Sequence, residues 1–282
     1  MKLYLTKSIT KIGSLRFYSL RFLHSKISYI PVGLTVLLAF LLSSCTHYYY
    51  VANIQNIPLF KEKNEYRISG SVGSGDESTS IEVQTAYSVT DKIGIMADYM
   101  SAKGGDVANH NYGSGNSYEG AVGYYRPVGR FGVFETYGGL GFSNQHHEYS
   151  SFYYNQNNGT SDLSSLKFYI QPSFGFTSKF FDIVVSTRFS ALTFNIKSNN
   201  VPGNNDLFNE LNGLSTKVHY YIEPAVSIRA GWKYTKVQFQ AVYSKNLVNE
   251  AIPVGEDYHL SIGLYFSFGK RFKPQSQLKK TK

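Results

Sequence analysis

The residues most able to do chemistry in this sequence are a histidine and a serine near its C-terminal end. His259 and Ser261 are two positions apart, so an extended strand would place both side chains on one face. A serine nucleophile needs a base within hydrogen-bond reach and an acid that orients the base, for which Asp257 and Glu250 are candidates. Because the triplet His-x-Ser is common and no further motif supports it, the sequence does not favour an enzyme.

A second set of candidates consists of histidines and acids in the predicted loops and at their bases. His146 and His147 are adjacent, so on a strand their side chains point to opposite faces and do not converge on one metal ion with Glu148. Barrel-fold proteases carry paired acids and a histidine at the rim of the barrel, and Asp106, His110 and Asp257 are residues of these types. Their spacing is not distinctive, so the sequence predicts no metal site and no cofactor.

Cys45 is the only cysteine of 282 residues, and it follows a basic segment and an apolar run. Residues 1–29 contain six Lys or Arg and no acid, and the apolar run from Ile30 to Leu42 is shorter than the roughly 20 residues of a transmembrane helix. This order is typical of an export signal, here residues 1–44. A single cysteine also excludes internal disulfides and zinc sites built from cysteines.

The four residues Leu42-Ser43-Ser44-Cys45 resemble the lipobox of bacterial lipoproteins. The resemblance implies that Cys45 becomes the mature N-terminus and carries a diacylglycerol and fatty acid such as palmitate. Several acyl chains attach a protein stably to a membrane, whereas one chain binds only marginally. Because Thr46 and not an aspartate follows, the resemblance implies sorting to the outer membrane. The alternative is an ordinary signal peptide with an incidental cysteine.

The net charge of +9 is carried by the two ends of the chain. Residues 1–44 and 270–282 each contain six basic side chains, whereas residues 45–269 contain 16 basic and 19 acidic ones, a net charge of −3. The charge therefore does not indicate a nucleic-acid partner, and the basic tail, 273–282, is interpreted as a solvated end.

The rest of the chain shows repeated alternation of apolar and polar residues. Residues 45–64 have no clean period and are interpreted as an irregular tether. Within 182–189, one parity holds Ile183, Val185 and Phe189, and the other holds Asp182, Ser186 and Arg188. Period-two alternation is typical of half-buried strands. Ten segments show it: 65–74, 78–90, 92–103, 115–126, 131–146, 163–177, 180–197, 217–233, 236–247 and 257–270.

The length and linkage of these segments predict a membrane barrel. Many reach the roughly 9–11 residues that a tilted strand needs to cross a bilayer. Tight turns alternate with longer loops near 104–114, 147–162, 198–216 and 248–256, as in barrels with short periplasmic turns and long external loops. We therefore expect an all-β, antiparallel up-and-down transmembrane β-barrel of about ten strands (8–12) over 65–272. Its N- and C-termini are both expected on the periplasmic side.

The polar parity is expected to line the lumen. A barrel of this size is largely filled by side chains, and buried charges are tolerated only when they have partners. The predicted charge network comprises Glu82, Asp98, Glu119, Glu135, Arg188, Glu223 and Arg229. The sequence favours a structural plug formed by these side chains, with a narrow path for ions or a small solute as the alternative.

Three local signals add detail. Pro172 and Pro224 lie in similar tetrapeptides and are predicted to cause bulges, because proline removes a ladder donor. A polar cap before a short apolar-spaced run predicts one or two helical turns within 204–211. Residues 150–159 mix aromatics with amides, which suits contact with a sugar or protein, although the sequence favours a solvated loop with some self-packing.

The sequence resembles small outer-membrane β-barrel proteins of Gram-negative bacteria, in a lipidated version. It does so in its lipobox, in its tyrosine-rich alternation and in its alternating short turns and long loops. The resemblance implies an outer-membrane location and contact with membrane lipid. We expect a non-enzymatic envelope protein that presents external loops to a glycan or protein partner. One alternative is a barrel-fold deacylase or acyltransferase using His259 and Ser261. Another is a lipid-tethered periplasmic barrel with its apolar side turned inward around a ligand.

Overall fold

The structure, a computed structural model, describes residues 48–150, 158–201, 206–248 and 254–269. Antiparallel strands dominate these ranges, and one helix, α1 (Asp206–Ser215), lies between the seventh and eighth strands. The strands are β1 (Tyr66–Gly75), β2 (Ser78–Ser88), β3 (Ile93–Asp106), β4 (Asn111–Val128), β5 (Gly132–Tyr149), β6 (Gly159–Thr177), β7 (Phe181–Asn199), β8 (Val218–Gly231), β9 (Thr235–Tyr243), β10 (Lys245–Asn246) and β11 (Tyr258–Phe268).

The strands close into a barrel. Each strand from β1 to β8 pairs with the next one in the chain, β9 pairs with β11, and β11 pairs with β1. Tyr66 thus faces Tyr87 on one side and Phe268 on the other. The two-residue β10 pairs with β8 outside this ring of ten. Closure leaves no free sheet edge, and it confirms the predicted antiparallel barrel of about ten strands.

The two faces of the wall differ in polarity as the alternation predicted. In β7, the side chains of Ile183, Val185 and Phe189 are 39%, 54% and 44% exposed, whereas Asp182 and Arg188 are only 2% and 1% exposed. The apolar parity therefore points outward. This contradicts the alternative of a soluble barrel with its apolar side inward, because an outward apolar wall needs a lipid solvent. Within the described ranges, no helix is both long and apolar enough to span a membrane.

Exposed aromatic side chains form two rings around the outside. The lower ring, at the short-turn end, contains Tyr66, Tyr87, Phe131, Phe176, Phe181, Trp232, Tyr234 and Phe268. The upper ring, toward the long-loop end, contains Tyr99, Tyr118, Phe142, Phe168, Tyr220, Tyr243 and Tyr258. Where a strand and its adjoining turn carry members of both rings, at β5, β6, β8, β9 and β11, the two rings are about ten residues apart, roughly 33 Å along a strand. With a tilt of roughly 40° this spans a height of about 25 Å, the usual apolar band of a transmembrane barrel.

Five strands, β3 to β7, extend two to four residues farther at the long-loop end than the alternation indicated. The predicted loop at 104–114 is reduced to residues 107–110, because β3 and β4 remain paired as far as Asp106 and Asn111. Glycine-rich pairs such as Gly104 and Gly113 continue the ladder, but they carry no apolar-polar contrast that a sequence pattern would detect. The barrel wall therefore extends beyond the upper aromatic ring at β3 to β7.

The helix in the longest connection is also longer than predicted. It begins at Asp206 and runs for ten residues, and its apolar side chains Leu207, Leu211 and Leu214 are buried in the cluster that contains Leu192 and Phe194 of β7. These three leucines recur at helical spacing on one face, which explains why the segment folds against the barrel and does not remain a loop.

The two prolines do not shift the register of the sheet. Thr187 faces Pro224 within a continuous β7–β8 ladder, and the β6–β7 register is the same on both sides of Pro172. The prediction of bulges at Pro172 and Pro224 is therefore wrong. In β6–β7 the register shifts between Asp162 and Leu163 instead, near the long-loop end.

The segment before β1 fills the lumen. We call residues 48–60 the N-terminal strap. At the long-loop end, the backbone N–H groups of Tyr49 and Tyr50 donate to the Val254 carbonyl oxygen at 2.9 and 3.0 Å. At the short-turn end, the strap leads to Lys61, whose Nζ donates to the Arg130 carbonyl oxygen at 2.7 Å. The irregular backbone was predicted, but its place inside the barrel was not.

The strap also changes the expected topology. The described chain enters at the long-loop end with Tyr48 and leaves at the short-turn end with Gly269, so the two ends lie on opposite sides of the barrel. The expectation that both termini share the periplasmic side does not hold for these residues. Period-two alternation locates strands, but it carries no information about which way an irregular segment runs through the space that they enclose.

Candidate functional site

The first part of the site is the set of inward acids that hold the strap. The Ile54 backbone N–H donates to Glu82 Oε2 at 2.9 Å, and Asn56 Nδ2 donates to Asp98 Oδ1 at 2.6 Å. Both carboxyl groups are buried. Because the strap forms no helix or strand, inward side chains must satisfy its backbone groups, as Glu82 does, whereas Asp98 holds the strap through the side-chain amide of Asn56.

Glu135 makes the tightest contact with the lower strap. Its two carboxylate oxygens accept hydrogen bonds from the backbone N–H groups of Leu59 and Phe60, both at 2.9 Å. Leu59 has a φ of 54°, an unusual value for a residue with a branched side chain. Two successive N–H groups in such a conformation form a small anion-binding concavity. The fully buried Glu135 therefore stabilises a strained turn of the strap.

Ion pairs form the second part of the site, at mid-lumen. Arg188 Nε donates to Glu223 Oε2 at 2.6 Å, and Arg188 Nη1 lies 3.4 Å from Glu119 Oε2. Lys167 forms a close ion pair with Glu119, and the Tyr50 hydroxyl donates to Glu223 Oε1 at 2.6 Å. Two acids and two bases thus meet in one buried, hydrogen-bonded cluster, the condition under which buried charges are tolerated.

The inward arginines also bind strap carbonyl groups. Arg188 Nη2 donates to the Asn53 carbonyl oxygen at 3.0 Å, and Arg229 Nη2 donates to that of Ile57 at 2.9 Å. The Arg229 guanidinium also stacks 3.9 Å from the Tyr265 ring centroid. All seven predicted network residues are therefore inward and buried. However, only Glu119, Arg188 and Glu223 pair with one another, whereas Glu82, Asp98, Glu135 and Arg229 bind the strap.

Sequence reasoning missed two kinds of contributor to the site, an inward lysine and the strap amides. Lys167 lies on the inward parity of β6, so the period-two pattern could have included it. The strap amides Asn53, Gln55 and Asn56 had no such signal. Gln55 shows why they matter, because its backbone N–H donates to Gln240 Oε1 at 2.5 Å and its Nε2 donates to the Glu223 carbonyl oxygen at 2.5 Å.

The candidate nucleophile pair is not assembled. His259 Nε2 lies 3.1 Å from Ser80 Oγ and 3.1 Å from Glu82 Oε1, whereas Ser261 Oγ reaches the Gln240 carbonyl oxygen at 3.5 Å. In a serine triad, the serine and the acid contact different ring nitrogens. Here both contacts use Nε2, and all the groups are buried in the wall. This cluster has the geometry of a structural hydrogen-bond network.

The adjacent histidines separate as expected. His146 faces outward, with Nδ1 2.7 Å from Asp162 Oδ1, and His147 is buried with its ring 5.2 Å from that of Tyr49. The exposed His110 has its Nδ1 3.2 Å from Glu148 Oε2. In the part of the chain that the structure describes, no group of three or more histidine, cysteine or acidic side chains is arranged to hold a metal ion.

An open cavity at the long-loop mouth is the third part of the site. The strap lines it with Tyr48 to Val51 and Asn53, the opposite wall is the inner surface of β3 to β6, and Glu256 lies at its side. The Glu256 carboxylate accepts hydrogen bonds from the N–H groups of Glu77 and Ser78 at 3.0 and 2.8 Å. Burial nevertheless raises the pKa of Glu256 above its usual range.

In α1, burial likewise raises the pKa of Glu210, although the Tyr49 hydroxyl donates a hydrogen bond to its carboxylate.

Some sequence predictions fall on residues outside the described ranges. These are the lipid attachment at Cys45 with its export signal, the candidate acid Glu250 and most of the aromatic and amide loop at 150–159. They remain predictions.

The fold and the site together define a plugged barrel of the outer-membrane type. Its sequence matches no described protein family and no curated protein. It is similar to the N-terminal β-barrel domain of Pseudomonas aeruginosa OprF (10% identity, TM-score 0.33), covering 73% of this chain and 99% of that one. It is also similar to the translocator domain of the Neisseria meningitidis autotransporter NalP (9% identity, TM-score 0.46, covering 73% and 89%).

A further similar structure is LpxR from Salmonella typhimurium, at 7% identity and a TM-score of 0.33, covering 71% of this chain and 99% of that one. These identities are too low to transfer an activity from any of the three proteins to this chain.

Proposed function

We propose that this protein is an outer-membrane β-barrel lipoprotein with a non-enzymatic role in presenting its long-loop end at the cell surface. The observation that carries the proposal is the closed barrel with an apolar exterior between two aromatic rings. Aromatic residues favour membrane interfaces, and closure satisfies the backbone groups of the strands in lipid. The polar β3–β7 extension, the loops and α1 then stand outside the bilayer.

The filled lumen supports a binding role over transport. The strap runs from one end of the barrel to the other, and buried side chains bond it at Glu82, Glu135 and Arg229. This leaves the long-loop end as the surface that a glycan or protein partner reaches. The buried His259 cluster offers no exposed nucleophile that would favour a lipid-modifying enzyme.

The direction of the strap indicates on which side of the membrane the proposed lipid on Cys45 lies. Cys45 lies three residues before Tyr48, a distance of at most about 11 Å along the chain. Since Tyr48 to Tyr50 are at the long-loop end, acyl chains on Cys45 belong on the outer surface of the membrane. The strap then connects an external anchor to the periplasmic start of β1.

The test is fractionation of a Cys45→Ala variant that is exported with a signal cut by ordinary signal peptidase. We expect the variant to stay in membranes after a carbonate wash, and to change its mobility on a denaturing gel after boiling. Release by carbonate would show that lipid alone held the protein. Labelling cells with an alkyne fatty acid should mark the wild-type chain and not the variant; equal labelling of both would remove Cys45 as the lipid site.

An epitope tag between Thr46 and Tyr48 tests the orientation. We expect the tag to be cut by protease added to intact cells, whereas a tag after Lys282 should be protected until the cells are broken. The opposite pattern would overturn the external position of the N-terminus.

A further inference from the structure

The cavity at the long-loop mouth is built by small residues. Its inner wall includes Ala102, Gly104, Gly113 and Gly115, which leave space between the strands and the strap. The cavity offers about 100 Å³ to the centres of water-sized molecules, where one water needs roughly 10–15 Å³. It therefore has space for several waters or for one small ring-shaped molecule.

One wall of the cavity is a row of hydroxyl and amide groups along β5 and β6. The Ser143 and Ser165 hydroxyls lie 2.6 Å apart, and Gln145 Nε2 donates to Ser143 Oγ at 3.1 Å. His147 Nε2 lies 3.2 Å from Gln145 Oε1. The half-buried Tyr48 of the strap also lines the cavity and offers an aromatic surface, whereas the Tyr49 ring, which packs on His147, is buried. Polar groups along one wall next to an aromatic ring match the alternating polar edges and apolar faces of a sugar.

Asn111 gives an independent sign of a missing hydrogen-bond donor. Its side chain lines the cavity and is 4% exposed, and its Oδ1 has no hydrogen-bond partner among the described residues. Buried polar atoms are nearly always paired, so an unpaired acceptor requires an explanation. A hydroxyl group of a bound molecule would donate to it.

The charges around the cavity are balanced within the protein. Lys167 pairs with Glu119 at its base, and Glu256 accepts from two backbone N–H groups and from the Ser78 hydroxyl at 2.7 Å. At the base and side of the cavity a charged ligand would therefore meet no uncompensated opposite charge. Lys103 also lines the cavity, but its side chain is exposed and lies on the outward parity of β3. We propose that this cavity binds one ring of a neutral saccharide. The inference rests on the proposed function, which places the cavity on the outside of the cell.

The experiment uses purified full-length barrel in detergent, with D-glucose, D-galactose and N-acetyl-D-glucosamine as separate probes in saturation-transfer NMR. We expect transfer to at least one of them. Asn111→Leu keeps the approximate size of the side chain but removes its acceptor, and it should weaken that binding about fivefold or more. Asn144→Leu is the matched control, because Asn144 lies on the exposed face of β5 and does not line the cavity. It should bind as the wild type does.

Two outcomes would overturn the saccharide site. A barrel that folds correctly, judged by its heat-dependent mobility, but shows no transfer to any of the three sugars would make the cavity a hydrated vestibule only. An equal loss of binding in Asn111→Leu and Asn144→Leu would place the sugar elsewhere. Failure of the proposed function is separate, because it appears as release in the carbonate wash whatever the NMR result.

Discussion

At the scale of single residues, the lumen is stable because every charge in its central cluster has an opposite partner. Arg188 contacts Glu119 and Glu223 and also bonds the strap. It is 1% exposed, so water cannot replace these contacts if it is removed. Removing one member of such a cluster lowers the free energy of unfolding by more than the ion pairs contribute to it, because the remaining charges stay buried without partners.

Replacing Arg188 by leucine is therefore expected to lower the free energy of unfolding by about 3–5 kcal/mol. The measurement is a urea titration of the barrel in detergent micelles, followed by tryptophan fluorescence. Arg126→Leu serves as the control, because Arg126 is exposed and a surface change is expected to stay within about 0.5 kcal/mol. Equal effects of the two substitutions would contradict the network.

At the scale of elements, the strap acts as an additional part of the core although it has no regular secondary structure. Its backbone groups bond to side chains of the wall, as Ile54 does with Glu82 and Ile57 does with Arg229. Its apolar side chains are also buried, with Ile57 and Leu59 against Val133 and Val184. The strap and the inward polar residues therefore depend on each other.

Removing the strap is expected to open the barrel. In a variant whose export signal is joined directly to Lys61, the wall would lose the groups that now occupy the lumen. We expect discrete conductance steps in planar lipid bilayers from this variant and none from the full mature chain. Its unboiled gel mobility shows whether the barrel has folded. A folded variant that does not conduct would mean that the wall side chains alone close the lumen.

At the scale of the whole molecule, the decisive property is the polarity of the outer surface. Large apolar side chains are exposed all round the barrel between the aromatic rings, Val226 among them at 45%. Val226 lies between Val185 and Ala241 of the neighbouring strands, five residues from the short-turn end of β8. It is therefore near the middle of the proposed bilayer.

Val226→Arg is expected to lower the stability of the barrel in lipid vesicles by about 2–4 kcal/mol, because a charge at mid-bilayer loses its hydration. The same substitution at Val107 is the control. Val107 is 64% exposed in the link between β3 and β4, outside the apolar band, and Val107→Arg should have little effect. Reversible unfolding in urea with vesicles present measures both. If Val226→Arg were neutral, the apolar wall would not face lipid.

The sequence by itself determined the strands, their number and the two faces of the wall. Alternation with period two is a local signal, and strands such as β7 and β11 lie close to the predicted ranges. It also placed the seven predicted charges on the inward face. The signal failed at glycine-rich pairs such as Gly104 and Gly113, where the ladder continues without any contrast in polarity.

Only the tertiary structure decided what fills the barrel and which way the chain runs through it. A sequence pattern reports the environment of neighbouring residues, whereas the volume of a closed lumen is set by all ten strands together. The strap fits that volume because its N–H and carbonyl groups meet acids and arginines from distant strands, including Glu135 and Arg229. Those long-range contacts placed Tyr48 at the long-loop end, opposite Gly269.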